Sequence, residues 1–244
     1  MLKRSIVLML FALVMVGSSF AQVRPGIKMG YNLGGVMGDY RNSADATKAP
    51  ANPDNFLLRS GFQGGMVADC PVNETFAIQP GVRFAMHGFT DKYLTNITSG
   101  DKVTRRFSLF FLQVPVYAQY RLNIAEETNL LFQAGPYVGY GLFGRQSYMR
   151  KGKSVDLKDD QKKITFGGNK SKDIRNGFDF GLGAGVGIEF YRVQFMVAYD
   201  FGLNKMAFEK DAGSATYNLD LRNHNLSVTL AIIFGRRDPL QGKD

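Results

Sequence analysis

The chain has 244 residues, of which 45% are hydrophobic and 13% aromatic, and a formal net charge of +9. This composition excludes wholesale disorder, and the single cysteine excludes an internal disulfide framework or a zinc site built on several cysteines. The mean hydropathy of -0.14 argues against a bundle of membrane helices. It leaves a membrane barrel open, because only alternate residues of a barrel strand meet lipid.

The first 21 residues have the pattern of a secretory signal peptide. Lys3 and Arg4 precede an apolar run over 6–16, and small residues at Ser19 and Ala21 precede Gln22. We expect cleavage after Ala21, which lowers the net charge from +9 to +7 because two cations leave. The run is too short for a membrane helix of ~20 residues, and a buried N-terminal helix is the alternative.

Eight later segments alternate apolar and polar residues with the period of two that is typical of strands with two different faces. In chain order they are 27–33, 62–69, 76–84, 108–121, 130–140, 178–188, 191–201 and 225–234. The clearest is 178–188, where apolar residues from Phe178 to Ile188 alternate with Asp179 and four glycines. Most exceed the ~5–6 residues of soluble strands and suit the ~9–11 of a tilted membrane strand.

The predicted connections alternate between long and short. The long ones are 34–59, 86–107, 144–177 and 202–223, and the short ones are 70–75, 122–129 and 189–192. Outer-membrane barrels combine long external loops with short periplasmic turns. The sequence therefore predicts an all-β fold, an eight-stranded antiparallel up-and-down transmembrane β-barrel over 22–234 with a polar periplasmic tail at 235–244.

Two local features fit this prediction less well. Pro80, Pro115 and Pro136 fall inside predicted strands and cannot donate to a ladder, so bulges or ladder gaps are expected there. The 189–192 turn lacks the Gly or Asn that a tight hairpin favours.

If the apolar faces meet lipid, the opposite faces fill the lumen with matched charges. The predicted network comprises Lys28, Asp69, Arg83, Arg121, Asp179, Glu189, Arg192 and Asp200. An interior of eight strands is just wide enough for side chains, so we expect structural filling and no open channel. Glycines at 181, 183, 185 and 187 leave room for bulkier partners across the lumen.

The third long loop carries most of the positive charge. Its cations are Arg145, Arg150, Lys151, Lys153, Lys158, Lys162, Lys163, Lys170, Lys172 and Arg175. Four aspartates oppose these ten cations, which leaves +6. Such a loop suits outer-membrane lipid, including the phosphates of lipopolysaccharide, or an acidic partner protein. A solvated loop without a ligand is the alternative, and nucleic acid is not expected outside a cell.

Chemical motifs are nearly absent. Gly152-Lys153-Ser154 lacks the upstream glycine of a phosphate-binding loop. His87 and His224 are the only histidines and are expected near the external rim, where they would simply meet water. Cys70 is expected at a periplasmic turn. No catalytic residue, metal site or cofactor is predicted.

Several stretches resemble the PorT-like outer-membrane β-barrel family of Bacteroidetes-type bacteria. They are GIKMGYNL at 26–33, GFQGGM at 61–66, FAIQPG at 76–81, LQVPVYA at 112–118, QAGPYVG at 133–139 and DFGLGAGVG at 179–187. The resemblance implies an outer-membrane barrel and has no catalytic set to carry over. The family's namesake assists export by the type IX secretion machinery.

Three functions are open at this point. The first is a non-enzymatic outer-membrane barrel with a structural, adhesive or secretion-accessory role through its loops, contacting envelope or secretion-machinery proteins. The second is an outer-membrane enzyme acting on lipid or peptide, centred on His87 or His224. The third is a soluble, lipocalin-like periplasmic ligand carrier.

Overall fold

The computed structural model describes residues 23–42, 56–96, 101–150, 153–155, 163–166, 177–212 and 215–235. The predicted signal peptide and most of the predicted tail lie outside these ranges. The strands are β1 (Arg24–Asn42), β2 (Phe56–Pro71), β3 (Phe76–Asn96), β4 (Asp101–Ala125), β5 (Thr128–Arg150), β6 (Lys153–Val155), β7 (Lys163–Ile164), β8 (Phe178–Phe190), β9 (Val193–Gly202), β10 (Met206–Ala212) and β11 (Ala215–Ile233). Within the described ranges, no helix is long and apolar enough to cross a membrane.

The strands form one antiparallel sheet that closes on itself. Adjacent strands pair in the order β1-β2-β3-β4-β5-β8-β9-β11. The last of these, β11, also pairs with β1, beginning at Gly26↔Ile233, and so closes the sheet. β10 continues the line of β9 and also pairs with β11, while β6 and β7 add to β5. The wall of the described chain is thus a closed barrel of eight strands, as the alternating pattern predicts.

The outer face is apolar and the inner face is largely polar. Residues of β8 alternate between exposed and buried, with Phe178 64% exposed and Asp179 1%. Outward side chains elsewhere, such as Met66 and Val138, are also mostly exposed. Large apolar side chains exposed over a whole wall are compatible with lipid as the surrounding solvent.

The strands are longer than the sequence pattern predicts. β4 has 25 residues and β5 has 23, and both run well into the predicted loops 86–107 and 144–177. The connection between β3 and β4 is 97–100, which is shorter than the predicted loop 86–107. The reason is that a β-ladder continues beyond the apolar belt, where neither face has to be apolar and the period of two is lost.

Each of the three prolines expected to interrupt a predicted strand coincides with a gap in one ladder. Pairing of β2 with β3 is interrupted between Val67↔Gly81 and Cys70↔Ile78, which spans Pro80. The β3–β4 ladder lacks its pairs around Pro115, and the β4–β5 ladder lacks them around Pro136. The register is the same on both sides of each gap, so the expected ladder gaps are confirmed and no residue is inserted there.

The two-residue turns use positive φ angles without glycine. Glu127 has φ 56° and Tyr191 has φ 53°, and the Tyr191 amide donates to the Glu127 carbonyl at 3.1 Å. The two turns are therefore neighbours at what we call the turn end of the barrel. The Glu127 carboxylate accepts a hydrogen bond from the Tyr191 hydroxyl and repels its phenolate, which raises the pKa of Tyr191.

Candidate functional site: lumen and loop end

An ion-pair cluster fills the lumen nearest the turn end. Asp69 is fully buried and pairs with both Arg24 and Arg121. Arg121 also lies 3.6 Å from Glu189, measured from Nε to Oε1. The Gln194 amide donates to the second Glu189 oxygen at 2.6 Å. The two carboxylates therefore hold two guanidinium groups in a space that excludes solvent.

A second cluster crosses the middle of the barrel. Arg83 on β3 donates to Asp200 on β9 at 2.6 Å and to Gln113 at 2.8 Å. Asp200 also accepts the Tyr117 hydroxyl at 2.9 Å. Because β3 and β9 lie far apart in the strand order, this ion pair spans the lumen and blocks it.

Glycines make this crossing possible. A Cβ atom on Gly183 would lie 2.4 Å from Asp200 Oδ1 and 2.8 Å from the Tyr117 hydroxyl. A Cβ on Gly181 would lie 2.8 Å from Cε1 of Tyr137. The predicted role of the glycine row, space for large partners across the lumen, is confirmed at these two positions.

Two smaller sets complete the polar interior. Lys28 donates to Gln79 at 3.2 Å, and Gln79 donates to Gln194 at 3.3 Å, which extends the cluster at the turn end as far as β1. Asp179 accepts the Asn223 amide at 3.1 Å, while its other oxygen is buried without a hydrogen-bond partner in the described structure.

Seven of the eight predicted lumen residues face the interior, and Arg192 does not. The prediction for Arg192 is wrong, because β9 begins at Val193 and Arg192 lies exposed in the preceding turn. Arg24, which is not among the predicted lumen residues, pairs with Asp69 in the lumen. The alternating pattern could have predicted this position, since Arg24 is an even number of residues from Lys28 along β1 and therefore lies on the same face.

An apolar cluster closes the other end of the lumen, which we call the loop end. It consists of Val36, Phe89, Phe107, Leu109, Phe111, Ile164 and Phe166. Phe89 stacks on Phe107 with ring centroids 4.5 Å apart, and Phe111 meets Phe166 edge-on at 5.7 Å. Ile164 and Phe166 come from the β5–β8 connection, so a part of the predicted third loop covers the barrel interior.

Both histidines lie toward the loop end, as the sequence predicts, but the expectation that both meet water is wrong for His87. His87 is 3% exposed and faces the interior, 5.4 Å from the Phe111 ring, because it shares the inward parity of Arg83. Neither of its ring nitrogens has a hydrogen-bond partner in the described structure. His224 is half-buried beside Tyr199 on the outer face. Cys70 is buried at the end of β2 rather than in the turn itself.

The predicted basic loop is only partly described. Arg145 and Lys163 are exposed on paired positions of β5 and β7. Arg150 ends β5 and Lys153 begins β6, with only their backbones described. The remaining predicted cations, Lys151, Lys158, Lys162, Lys170, Lys172 and Arg175, lie outside the described residues.

The comparison with protein families agrees with this geometry. The model of a family described as outer membrane protein beta-barrel domain matches residues 20–207, well over half of the chain. The chain belongs to this family. As a member, it is an outer-membrane barrel, and its turn end is expected to face the periplasm and its loop end the exterior.

Several solved outer-membrane barrels are similar in structure. Neisserial surface protein A is 12% identical, with 86% of this chain and 97% of that chain covered and a TM-score of 0.39. Ail of Yersinia pestis, crystallised with the heparin analogue sucrose octasulfate, is 13% identical, with 87% of this chain and 99% of that chain covered and a TM-score of 0.35. OprG of Pseudomonas aeruginosa is 9% identical, with 87% of this chain and 96% of that chain covered and a TM-score of 0.44. No curated protein matches the sequence.

Proposed function

We propose that this outer-membrane barrel is non-enzymatic, conducts no solute through its lumen, and acts through its loop end in a structural, adhesive or secretion-accessory role. The observation that carries the proposal is the double closure of the lumen. The Arg83–Asp200 pair spans its middle at 2.6 Å, and the apolar cluster around Phe111 covers its outer end.

The placement of the histidines disfavours an enzyme. His87 faces inward beside the Phe111 ring, whereas His224 lies on the outer face. A hydrolytic site needs a base oriented toward a nucleophile and supported by an acidic group. Neither histidine has such a pair of partners among the interactions of the described residues.

The orientation of the apolar faces disfavours a soluble carrier. A lipocalin-like barrel encloses its ligand within the barrel. Here the middle of the interior is occupied by ion pairs, and the large apolar side chains of β8 and β9 point outward. The resemblance to PorT-like sequences favours the secretion-accessory version of the loop-end role.

Two measurements test the proposal together. In planar bilayers the purified full chain should give no steady conductance steps, since both closures lie in the permeation path. A photo-cross-linking residue at Met149, near the end of β5 at the loop end, should capture a specific envelope protein in intact cells. The same residue at Glu126, exposed in a turn at the opposite end, is the matched control.

Stable ion conductance by the wild-type chain would contradict the filled lumen. Identical cross-linking from Met149 and Glu126, or none from Met149, would contradict a working loop end.

A further inference from the structure

A groove of about 640 Å³ lies near the loop end of the barrel. Its lining comes from four different strands: Arg59, Arg106, Ser108, Arg145, Gln146, Ser147 and Lys163. Only Arg145 and Lys163 belong to the cations that the sequence singles out, and Arg59 and Arg106 come from β2 and β4. The cationic surface is thus built by the sheet and is not a property of one loop.

Strand register places most of this groove on the outer wall. Ser108 pairs with Arg145, Arg106 pairs with Ser147, and Lys163 pairs with Arg145, so these side chains share one face. Ser108 also has the parity of Phe110, two residues along β4. Phe110 stacks on Phe143 at 4.6 Å and on Phe84 at 5.7 Å in the lipid-facing belt.

The Arg59 side chain reaches the groove by passing over Gly88, which has no side chain in its way. Its Cδ lies 2.9 Å from the position that a Cβ on Gly88 would occupy, and Gly88 pairs with Ser108. Ser108 and Gly88 are consequently buried although they face outward. A Cβ on Gly88 would also lie 2.4 Å from the Phe107 carbonyl oxygen, so position 88 has no room for a larger residue beside Arg59.

The groove concentrates positive charge without compensation from its own lining. Four of its seven lining residues are cations and none is a carboxylate. Nη1 of Arg59 is buried and has no hydrogen-bond partner in the described structure. Cations held together in this way repel one another unless an anion lies between them.

We propose that the groove binds the phosphate groups of a phosphorylated lipid headgroup in the outer leaflet. Guanidinium groups hold phosphate oxygens with paired hydrogen bonds, and the two serine hydroxyls supply further donors. The position of the groove next to the lipid-facing wall indicates that the phosphate belongs to a lipid. The Phe84–Phe110–Phe143 row lies only two residues below Ser108 and Arg145, or ~7 Å along a strand. A lipid whose acyl chains cover this row has its headgroup at the cations.

The proposal does not depend on the loop-end role proposed above, because a barrel with no protein partner can still hold this lipid. The test uses the refolded full chain in detergent with lipid A bisphosphate as the probe and native mass spectrometry as the readout. Arg106→Gln and Arg145→Gln should each weaken retention about 5-fold, the effect of one cation near an anionic surface. Arg145→Lys keeps the charge and should retain most of the binding.

The matched control is Arg192→Gln, which removes an exposed cation at the turn end and should leave retention unchanged. A shift in gel mobility on heating, equal to that of the wild type, shows that each variant is folded. Two further arms separate the sources of phosphate: the same lipid without phosphates should bind poorly, and inorganic pyrophosphate should compete only weakly. Equal binding of the phosphate-free lipid, equal loss in Arg192→Gln, or pyrophosphate binding as tight as the lipid would each overturn the proposal.

Discussion

Replacing Asp200 by asparagine tests the ion pair that spans the lumen. Asp200 is 1% exposed and accepts from Arg83 at 2.6 Å and from Tyr117 at 2.9 Å. Asparagine keeps the shape but removes the charge, so the Arg83 guanidinium stays in the lumen without its counter-ion. Removing one partner of a buried pair costs about 3–5 kcal/mol.

The structure favours the lower end of that range. Arg83 keeps its hydrogen bond to Gln113 at 2.8 Å, and its side chain is 12% exposed. We therefore expect Asp200→Asn to lower the free energy of unfolding by about 3 kcal/mol. Adding Arg83→Met removes the uncompensated charge, and the double variant should lie within about 1 kcal/mol of the wild type.

Urea unfolding from lipid vesicles, followed by circular dichroism, measures both values, since the chain has no tryptophan for fluorescence. Glu126→Gln removes an exposed carboxylate in a turn and should change stability by less than about 0.5 kcal/mol. A loss for Asp200→Asn as small as that of the control would refute the reasoning. A double variant no more stable than Asp200→Asn would refute the assignment of the cost to Arg83.

Three further expectations concern glycine space, the turns and the outer cap. Gly183→Ala should lower the free energy of unfolding by about 1–3 kcal/mol in the same urea assay, whereas Gly64→Ala, whose Cβ would meet nothing closer than 4.0 Å, should not. Glu127→Gln should lower the pKa of Tyr191, so that phenolate forms at lower pH in an ultraviolet difference titration, and an unchanged titration would exclude the contact. Phe111→Ala should cost about 3–5 kcal/mol and speed proteolysis within 151–177 if the cap holds that connection in place, with unaltered cleavage counting against it.

The sequence alone predicts the number, order and orientation of the wall strands. Period two is visible wherever one face meets lipid and the other a polar lumen, as in β8 from Phe178 to Ile188. The same pattern cannot mark where strands end, because the outer part of β4, from Asp101 to about Phe107, has no lipid to face. The ladder continues there through backbone hydrogen bonds, which leave no trace in residue type.

Other features were hidden for specific reasons. Arg192 follows the alternation of β9 but sits one residue before that strand begins. The apolar cap is obscured because Leu109 and Phe111 face inward beside outward Phe110 and Leu112, so apolar residues stand on both faces. The basic groove joins cations from β2, β4, β5 and β7, which only the register brings together.

The seam of the barrel joins β1 to β11, from Gly26↔Ile233 to Asn42↔Tyr217. Without either of these strands the wall stays open, so an incomplete product has two unpaired sheet edges, and unpaired edges promote aggregation. Closure of the wall therefore requires that the first and the last of the described strands both be present and paired.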